Sequence, residues 1–517
     1  MGLKRRLSTL DLIILGVGGA VGTGVLFGNA GMAEVAGPGV VLAWLVGALF
    51  YTFIGFTYVE LSRAFPEAGG PSRYSLYTHG RVTNLINAFS DLIWYLFIPP
   101  IEALATVEGL NYFYPHFVSA TTGFPTALGA VGGAIVMFLF LPFNYYGIRW
   151  FRNATDWLGG VKLLLYVLVA IGFITFAHFG NFSLHGGFVP FGVSGVFAAI
   201  PLAMFAFGGI RVIPDYAEES TDAKSSMGRS IIITLIGQTA IYVLFAVAFL
   251  ASLNWAQVHI PTGDWAKLTT LPGNPFLAIV SGKSNMGWLL AATIIIAIIG
   301  PFITGYIYQG GGSRVLFAMA RTGFVSRQLK DLNQRYAIPG WSLLVFAIVG
   351  AVVAYISEPL PSIYSLITDA VVAGYLGFAV NPVAMLALRR QGRPGTVRGG
   401  GVLATLAFGA AGLIAFWSGW PSVPYAVALL AIGSLAFGIA YRVRGGFTNA
   451  IWYIVYILFL TAMTYINSGM ATPLVTLDQG SIIVAVVSMA VFLPWGVASR
   501  MEHTQTEEEL AVAVEAS

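Results

Sequence analysis

Long apolar runs separated by short polar segments repeat along the whole chain. Fourteen can be counted, at 10–36, 39–62, 84–113, 126–147, 155–178, 194–218, 228–253, 286–320, 340–357, 362–389, 401–418, 423–441, 449–467 and 480–498. A bilayer core of roughly 30 Å takes about 20 residues of helix, so each run predicts one membrane-spanning helix. Strands in lipid must close into a barrel, and these runs lack the period-two alternation of barrel strands. The first run follows Lys4-Arg5-Arg6 and continues to Val35. That is too long for a cleaved signal peptide, so an uncleaved first span is expected.

Composition supports the pattern. Hydrophobic residues make up 57% and charged residues only 9%, against about 25% charged in a soluble domain. No water-facing surface can be built from so little charge, and soluble enzyme, collagen and disordered classes fall away together. The absence of cysteine excludes disulfides, cysteine-ligated metal and thiol chemistry. A net charge of +4 would suggest nucleic acid in a soluble protein. Here it has another use. With a cytoplasmic N-terminus, the inner segments are 63–83, 148–154, 219–227, 321–339, 390–400, 442–448 and the tail. They and the adjoining run ends hold 22 of the 26 Lys and Arg residues. Lys267 and Lys283 fall outside, while Lys162 and Arg211 lie within runs. This asymmetry satisfies the positive-inside rule and places both termini in the cytoplasm. No nucleic-acid partner is implied.

The usual catalytic signatures are missing: no HExxH, GxSxG or GxxxxGK[ST] occurs, and the six histidines have no metal-ligand spacing. GVGGAVGTG fits no GxGxxG and follows no strand, so a dinucleotide reading is weak. Neither an enzyme, a metal site nor a cofactor is expected.

Two runs differ at their centres. The first carries Gly16, Gly18, Gly19, Gly22 and Gly24 within nine residues, and the sixth carries Phe205-Ala206-Phe207-Gly208-Gly209, then Arg211 and Pro214. Glycine costs about 1 kcal/mol and proline about 3 kcal/mol per helical position, so both runs are expected to unwind locally. Close helix packing by small residues is the plainer alternative. Runs 1 and 6 open successive five-span halves, and an odd number of spans inverts the second half. Broken helices at matching positions of inverted repeats point to a transporter's mid-membrane site.

Three further motifs carry a resemblance. Thr57-Tyr-Val-Glu60-Leu-Ser-Arg-Ala-Phe-Pro66-Glu-Ala-Gly69-Gly70 ends run 2, Gly310-Gly-Gly-Ser-Arg314 to Gly323 ends run 8, and Ala217-Glu218-Glu219 closes run 6. Together with the first glycine cluster they resemble amino acid–polyamine–organocation (APC) transporters over residues 10 to about 390. The resemblance implies the leucine-transporter (LeuT) fold: an all-α polytopic membrane protein with a 5+5 inverted repeat. The core would be residues 1–390, with repeats at about 10–180 and 194–390. Four further spans, 391–498, and an acidic cytoplasmic tail, 499–517, would follow.

In the family, unwound run 1 offers N–H groups to a substrate carboxylate, which maps onto Gly18, Gly19, Ala20, Val21, Gly22, Thr23 and Gly24. The amino group meets carbonyls of unwound run 6, mapping onto Phe205, Ala206, Phe207 and Gly208, with Phe205 and Phe207 where the family keeps an aromatic gate. Lys162 in run 5 matches a lysine that replaces sodium against run 1 in proton-coupled members. Arg211 departs from the family. An arginine near the bilayer centre costs at least a few kcal/mol unless paired, and two partners are open: Glu102 in run 3, or an anionic substrate. Glu60, Glu218 and Glu219 are expected to pair with Arg63, Arg314 or Arg321, and Asp369 is a candidate gate or proton carrier. These residues imply a secondary transporter of amino acids or similar zwitterions, proton-coupled through Lys162 and Glu102. An exchanger of the same fold is the near alternative, and a channel or receptor the distant one.

Overall fold

The computed structural model describes residues 2–504 apart from 120, 185, 272, 282–284 and 357–362, and the side chains of 363–370 are also outside the description. Lys283, the side chain of Asp369 and the acidic stretch of the tail therefore lie outside the described residues. All fourteen apolar runs are helical. Run 1 is α1 (Thr9–Ala20) and α2 (Thr23–Ala36), run 2 is α3 (Val40–Ala64), and run 3 is α4 (Leu76–Leu110). Run 4 is α5 (Ala127–Leu139) with the single turn α6 (Leu141–Tyr145), run 5 is α7 (Ile148–Ile174), and run 6 is α8 (Gly192–Ala206) and α9 (Gly209–Asp215). Run 7 is α10 (Ala223–Ser252); the short α11 (Pro275–Val280) precedes run 8, α12 (Gly287–Arg321). Run 9 is α13 (Gly340–Ile356), and run 10 is α14 (Ile363–Phe378) and α15 (Val380–Arg390). The remaining runs are α16 (Gly400–Trp417), α17 (Ser422–Ala440), α18 (Phe447–Thr464) and the pair α19 (Leu477–Val487) and α20 (Leu493–Ala498).

Among the described residues, twelve helical stretches are long and apolar enough to cross a membrane. One of them, Thr23–Ala64, holds both α2 and α3, and α1 and α13 are shorter apolar helices. The described part contains isolated β-bridges but no strand. The chain is an all-helical, multi-pass membrane protein.

Both expected breaks exist, and both are tighter than five glycines in two turns suggested. In run 1 the departure is confined to Val21 (φ −80°, ψ 79°) and Gly22 (φ −134°, ψ −130°). In run 6 it is a compressed turn, with Gly208 N bonding Phe205 O at 3.1 Å and Arg211 N bonding Gly208 O at 2.9 Å. The reason is packing. A Cβ on Gly24 would stand 2.8 Å from that of Ala206, and one on Gly209 would stand 2.7 Å from that of Ala20. The small residues serve the two breaks and the close approach of the broken helices at once. Run 10 keeps helical angles at Ala379 (φ −68°, ψ −26°) but loses a rung of its hydrogen-bond ladder there, which the glycine count does not signal. Pro382 has no N–H for the Phe378 carbonyl four residues back, so the ladder is cut there.

Polar bonds close the face that carries the basic loops. Gly69 N donates to Asp215 O at 3.2 Å, Arg6 N and Leu7 N to Glu219 O at 2.8 and 3.0 Å, and Thr221 N to Leu7 O at 2.9 Å. Arg314 forks onto Glu219 at 2.6 and 2.9 Å, and Arg321 reaches Glu218 at 2.8 Å. Glu60 differs from expectation. It takes Arg389 of α15 at 2.6 Å and the amides of Thr396 and Val397, while Arg63 donates to Lys224 O. α15 lies against α3, which brings a residue 329 positions away closer than the neighbour three along.

Candidate substrate and coupling site

The break in run 1 leaves a carbonyl end on α1 and an amide end on α2. A helix carries about −0.5 charge at its C-terminus and +0.5 at its N-terminus, and each end meets the matching ion. Lys162 of α7, fully buried, donates from Nζ to Gly18 O at 2.7 Å, Gly300 O at 2.9 Å and Thr304 Oγ1 at 2.9 Å. Glu102 of α4 accepts from Thr23 N at 3.2 Å and Thr23 Oγ1 at 2.5 Å. Thr304 of α12 lies between them, its hydroxyl 3.3 Å from Gly18 O. The ammonium and the carboxylate thus staple the two halves of run 1 from opposite sides. The chain's own acid occupies part of the amide end.

Two more carbonyls near the breaks accept from side chains. Gln238 Nε2 donates to Gly16 O at 3.2 Å, and Tyr242 Oη to Ala206 O at 2.6 Å. Gly208 is hemmed by Tyr308 and Trp94, whose Oη and Cζ2 lie 2.5 and 2.6 Å from where its Cβ would be. Phe207 is buried against Trp44, Tyr51 and Tyr242, with ring centroids 5.9, 6.0 and 5.0 Å away, and Phe205 faces Trp94 at 6.4 Å. Gly18, Gly19, Ala20, Val21, Gly22, Thr23 and Gly24 are all buried, as are Phe205, Ala206, Phe207 and Gly208. Both breaks are therefore closed to solvent.

Arg211 is not paired with Glu102. Its guanidinium forms an ion pair with Asp91 of α4 and donates to Gly374 O at 3.3 Å. It is flanked by the rings of Trp94 and Phe378 at 5.4 and 5.2 Å. Glu102 is held by Thr23 instead, three helical turns along α4. Depth explains the correction: α9 continues past the break toward the basic-loop face, and α4 extends beyond its apolar run on that same side. Asp91 stands only seven residues into that run and reads as an interfacial acid. Two other functional candidates gave no sequence signal. Thr304 looks like any threonine in an apolar helix, and Asp215, which accepts from Tyr95 Oη, looks like a loop acid after Pro214.

The amino acid permease model of the family matches residues 7–408. The chain belongs to the amino acid permease family. Members are transporters and not enzymes, and they lie in the cell membrane as multi-pass proteins. The permease is similar to the glutamate/serine transporter AimA of Bacillus subtilis (strain 168), 26% identical over 98% of this chain and 96% of the relative. It is also similar to the aspartate-proton symporter of the same organism, 28% identical over 95% of each. The aromatic amino acid transport protein AroP of Escherichia coli (strain K12) is 24% identical over 75% of this chain and 82% of its own length. The alignments with the two Bacillus relatives cover 98% and 95% of this chain, so they reach beyond the family match, which ends at residue 408.

Proposed function

We propose that the permease is a secondary active transporter that carries amino acids by alternating access and couples them to protons. It would cross the membrane fourteen times with both termini in the cytoplasm. Residues 1–390 would form the inverted-repeat core, with 391–498 as an appended four-span unit. The substrate would lie between Gly18–Gly24 and Phe205–Gly208. One observation carries the reading: Glu102 accepts from the first amide of α2, where a substrate carboxylate would have to bind. A deprotonated Glu102 and a substrate carboxylate compete for the same positive helix end. Protonation of Glu102 removes its charge and releases the end to the substrate. Proton and amino acid then favour the same state, which is the thermodynamic condition for symport. Lys162 keeps the carbonyl end of α1 neutralised throughout, the task a sodium ion would otherwise perform. The relative named as an aspartate-proton symporter supports the choice of ion.

The test is a proteoliposome screen over the twenty amino acids and common amines, with and without an acidic exterior. Concentrative uptake driven by the pH gradient is expected, with Glu102→Gln retaining counterflow exchange but losing the gradient's effect. Uptake that needs internal amino acid and ignores the gradient would replace symport by exchange.

A further inference from the structure

Transport through the two breaks makes no use of Arg211 and Asp91, although both are about 1% exposed. A structural ion pair is a poor reason to keep them: isolated apolar replacements of buried pairs are often neutral or stabilising. Their surroundings also hold several unmet donors, beside the unmet acceptors Asn87 Oδ1 and Asp91 Oδ1. Among the described residues, Arg211 Nε, Trp94 Nε1, Tyr51 Oη, Tyr58 Oη and Ser90 Oγ are buried without a hydrogen-bond partner. Tyr51 and Tyr58 lie within electrostatic range of the guanidinium. Arg211 Nε and four neighbouring donor-bearing groups form a receptor for an acceptor-rich group. A single carboxylate from the protein does not fill it.

Resting on the amino acid carrier reading above, we infer that Arg211 receives the side-chain carboxylate of an acidic amino acid, and that Asp91 is the resident carboxylate it gives up. Arg211 stands less than one turn beyond the Gly208 break, and its long side chain can turn toward that break once Asp91 lets go. Tyr308 connects the two regions, being within electrostatic range of both Glu102 and Arg211.

Charge conservation sets the next step. An acidic substrate brings one more negative charge than a neutral one into a buried space. The released Asp91 would be an unpaired buried carboxylate, so it takes up a proton from the open side and surrenders it when Arg211 returns. Other groups facing the pair are Tyr51 and Tyr58 of α3, Tyr95 of α4, Asp215 of α9, Tyr308 of α12 and Tyr453 of α18. Of these only Asp215 is a carboxylate, and the Tyr95 hydroxyl already engages it, so the transferable proton falls to Asp91. Acidic substrates should then travel with one proton more than neutral ones, and both should move the same net charge.

The experiment uses the full chain in proteoliposomes, with aspartate and serine as probes. Proton stoichiometry is read from reversal potentials, and specificity from the ratio of half-saturation concentrations. In the wild type, aspartate is expected to move with one more proton than serine. Arg211→Gln should shift the aspartate-to-serine ratio against aspartate by about ten- to a hundredfold, the loss of a charge-assisted contact. Because that variant leaves Asp91 unpaired, the double variant Asp91→Asn/Arg211→Gln is measured beside it, with the same shift expected. Asp91→Asn alone should lower the half-saturation concentration for aspartate and remove the pH dependence of the ratio. An unchanged ratio in the double variant overturns the inference, as does equal stoichiometry for both substrates. Failure of the wild type to carry any amino acid would sink the carrier reading itself, a different result.

Discussion

Adding one methyl group at Gly22 is the sharpest probe of the stapled break. The Cβ of Gly22→Ala would stand 2.5 Å from Thr304 Oγ1 and 2.9 Å from both Thr304 Cβ and Glu102 Oε2. Ordinary contact needs about 3.5–4.0 Å, so Thr304 must retreat by about 1 Å. Its hydroxyl accepts from Lys162 Nζ at 2.9 Å, and that retreat breaks the bond. Losing a hydrogen bond to a charged group costs about 1.5–3 kcal/mol, and the push on Glu102 adds to it. A total of about 2–3 kcal/mol in the closed state corresponds to a transport rate about 30- to 150-fold lower. Gly28→Ala is the control, since its Cβ would meet nothing within 4 Å on the same helix. Initial uptake rates in proteoliposomes, normalised to inserted protein, should separate the two variants, with Gly28→Ala within about twofold of wild type, as expected where no contact changes. Equal rates for both variants would show that the Thr304–Glu102–Lys162 arrangement does not govern transport.

Other outcomes follow from the same contacts. Lys162→Ala should abolish accumulation driven by a pH gradient, and sodium should not drive the wild type, because a resident ammonium repels a second cation at close range; sodium-driven uptake would contradict the assignment. Glu219→Gln leaves Arg314 buried without its counterion and should lower stability by about 3–5 kcal/mol. Glu218→Gln, at a pair 29% and 21% exposed, should cost less than about 1 kcal/mol. Melting temperatures in detergent compare the two variants directly, and similar shifts would refute the ranking. Deleting residues 2–7 removes the amides that clamp Glu219 O. The chain has no cysteine of its own, so faster labelling of a single cysteine placed at Ser313 would report the opening; unchanged labelling would deny the clamp a gating role.

Much of this architecture is legible in the sequence because lipid imposes a simple code. Each helix must be long and apolar, and loops facing the cytoplasm must be basic. The breaks in runs 1 and 6 were visible because glycine is conspicuous in an apolar run. The lost rung at Ala379 was not, since its cause is a proline three residues later in a stretch that otherwise reads as helix. The direction of Lys162 toward Gly18 could be anticipated from the resemblance, whereas the partner of Arg211 could not. Rise per residue places an acid in depth only when both helix ends are known, and α4 begins eight residues before its apolar run. Rotation around the bundle, which decides whether two residues at equal depth meet, leaves no mark in one sequence.

The single helix α4 carries both Asp91 and Glu102. Eleven residues at 100° each return to within about 20° of the starting direction, and at 1.5 Å each they span about 16 Å. Pro99 and Pro100 lie between them, and the two acids are marks on one ruler, each met by a different broken helix. No free amino acid reaches from one mark to the other. Whatever relieves both in one cycle must do so by bringing other parts to the substrate: the amide end of α2 at one mark, the guanidinium of Arg211 at the other. α4 also packs against α5, α12, α13, α14, α17 and α18, which anchors it on many sides among the described residues. Distances measured from a probe on α4 would follow the broken helices of runs 1 and 6 against one fixed scale, and the order in which those two distances change would give the order of events in transport.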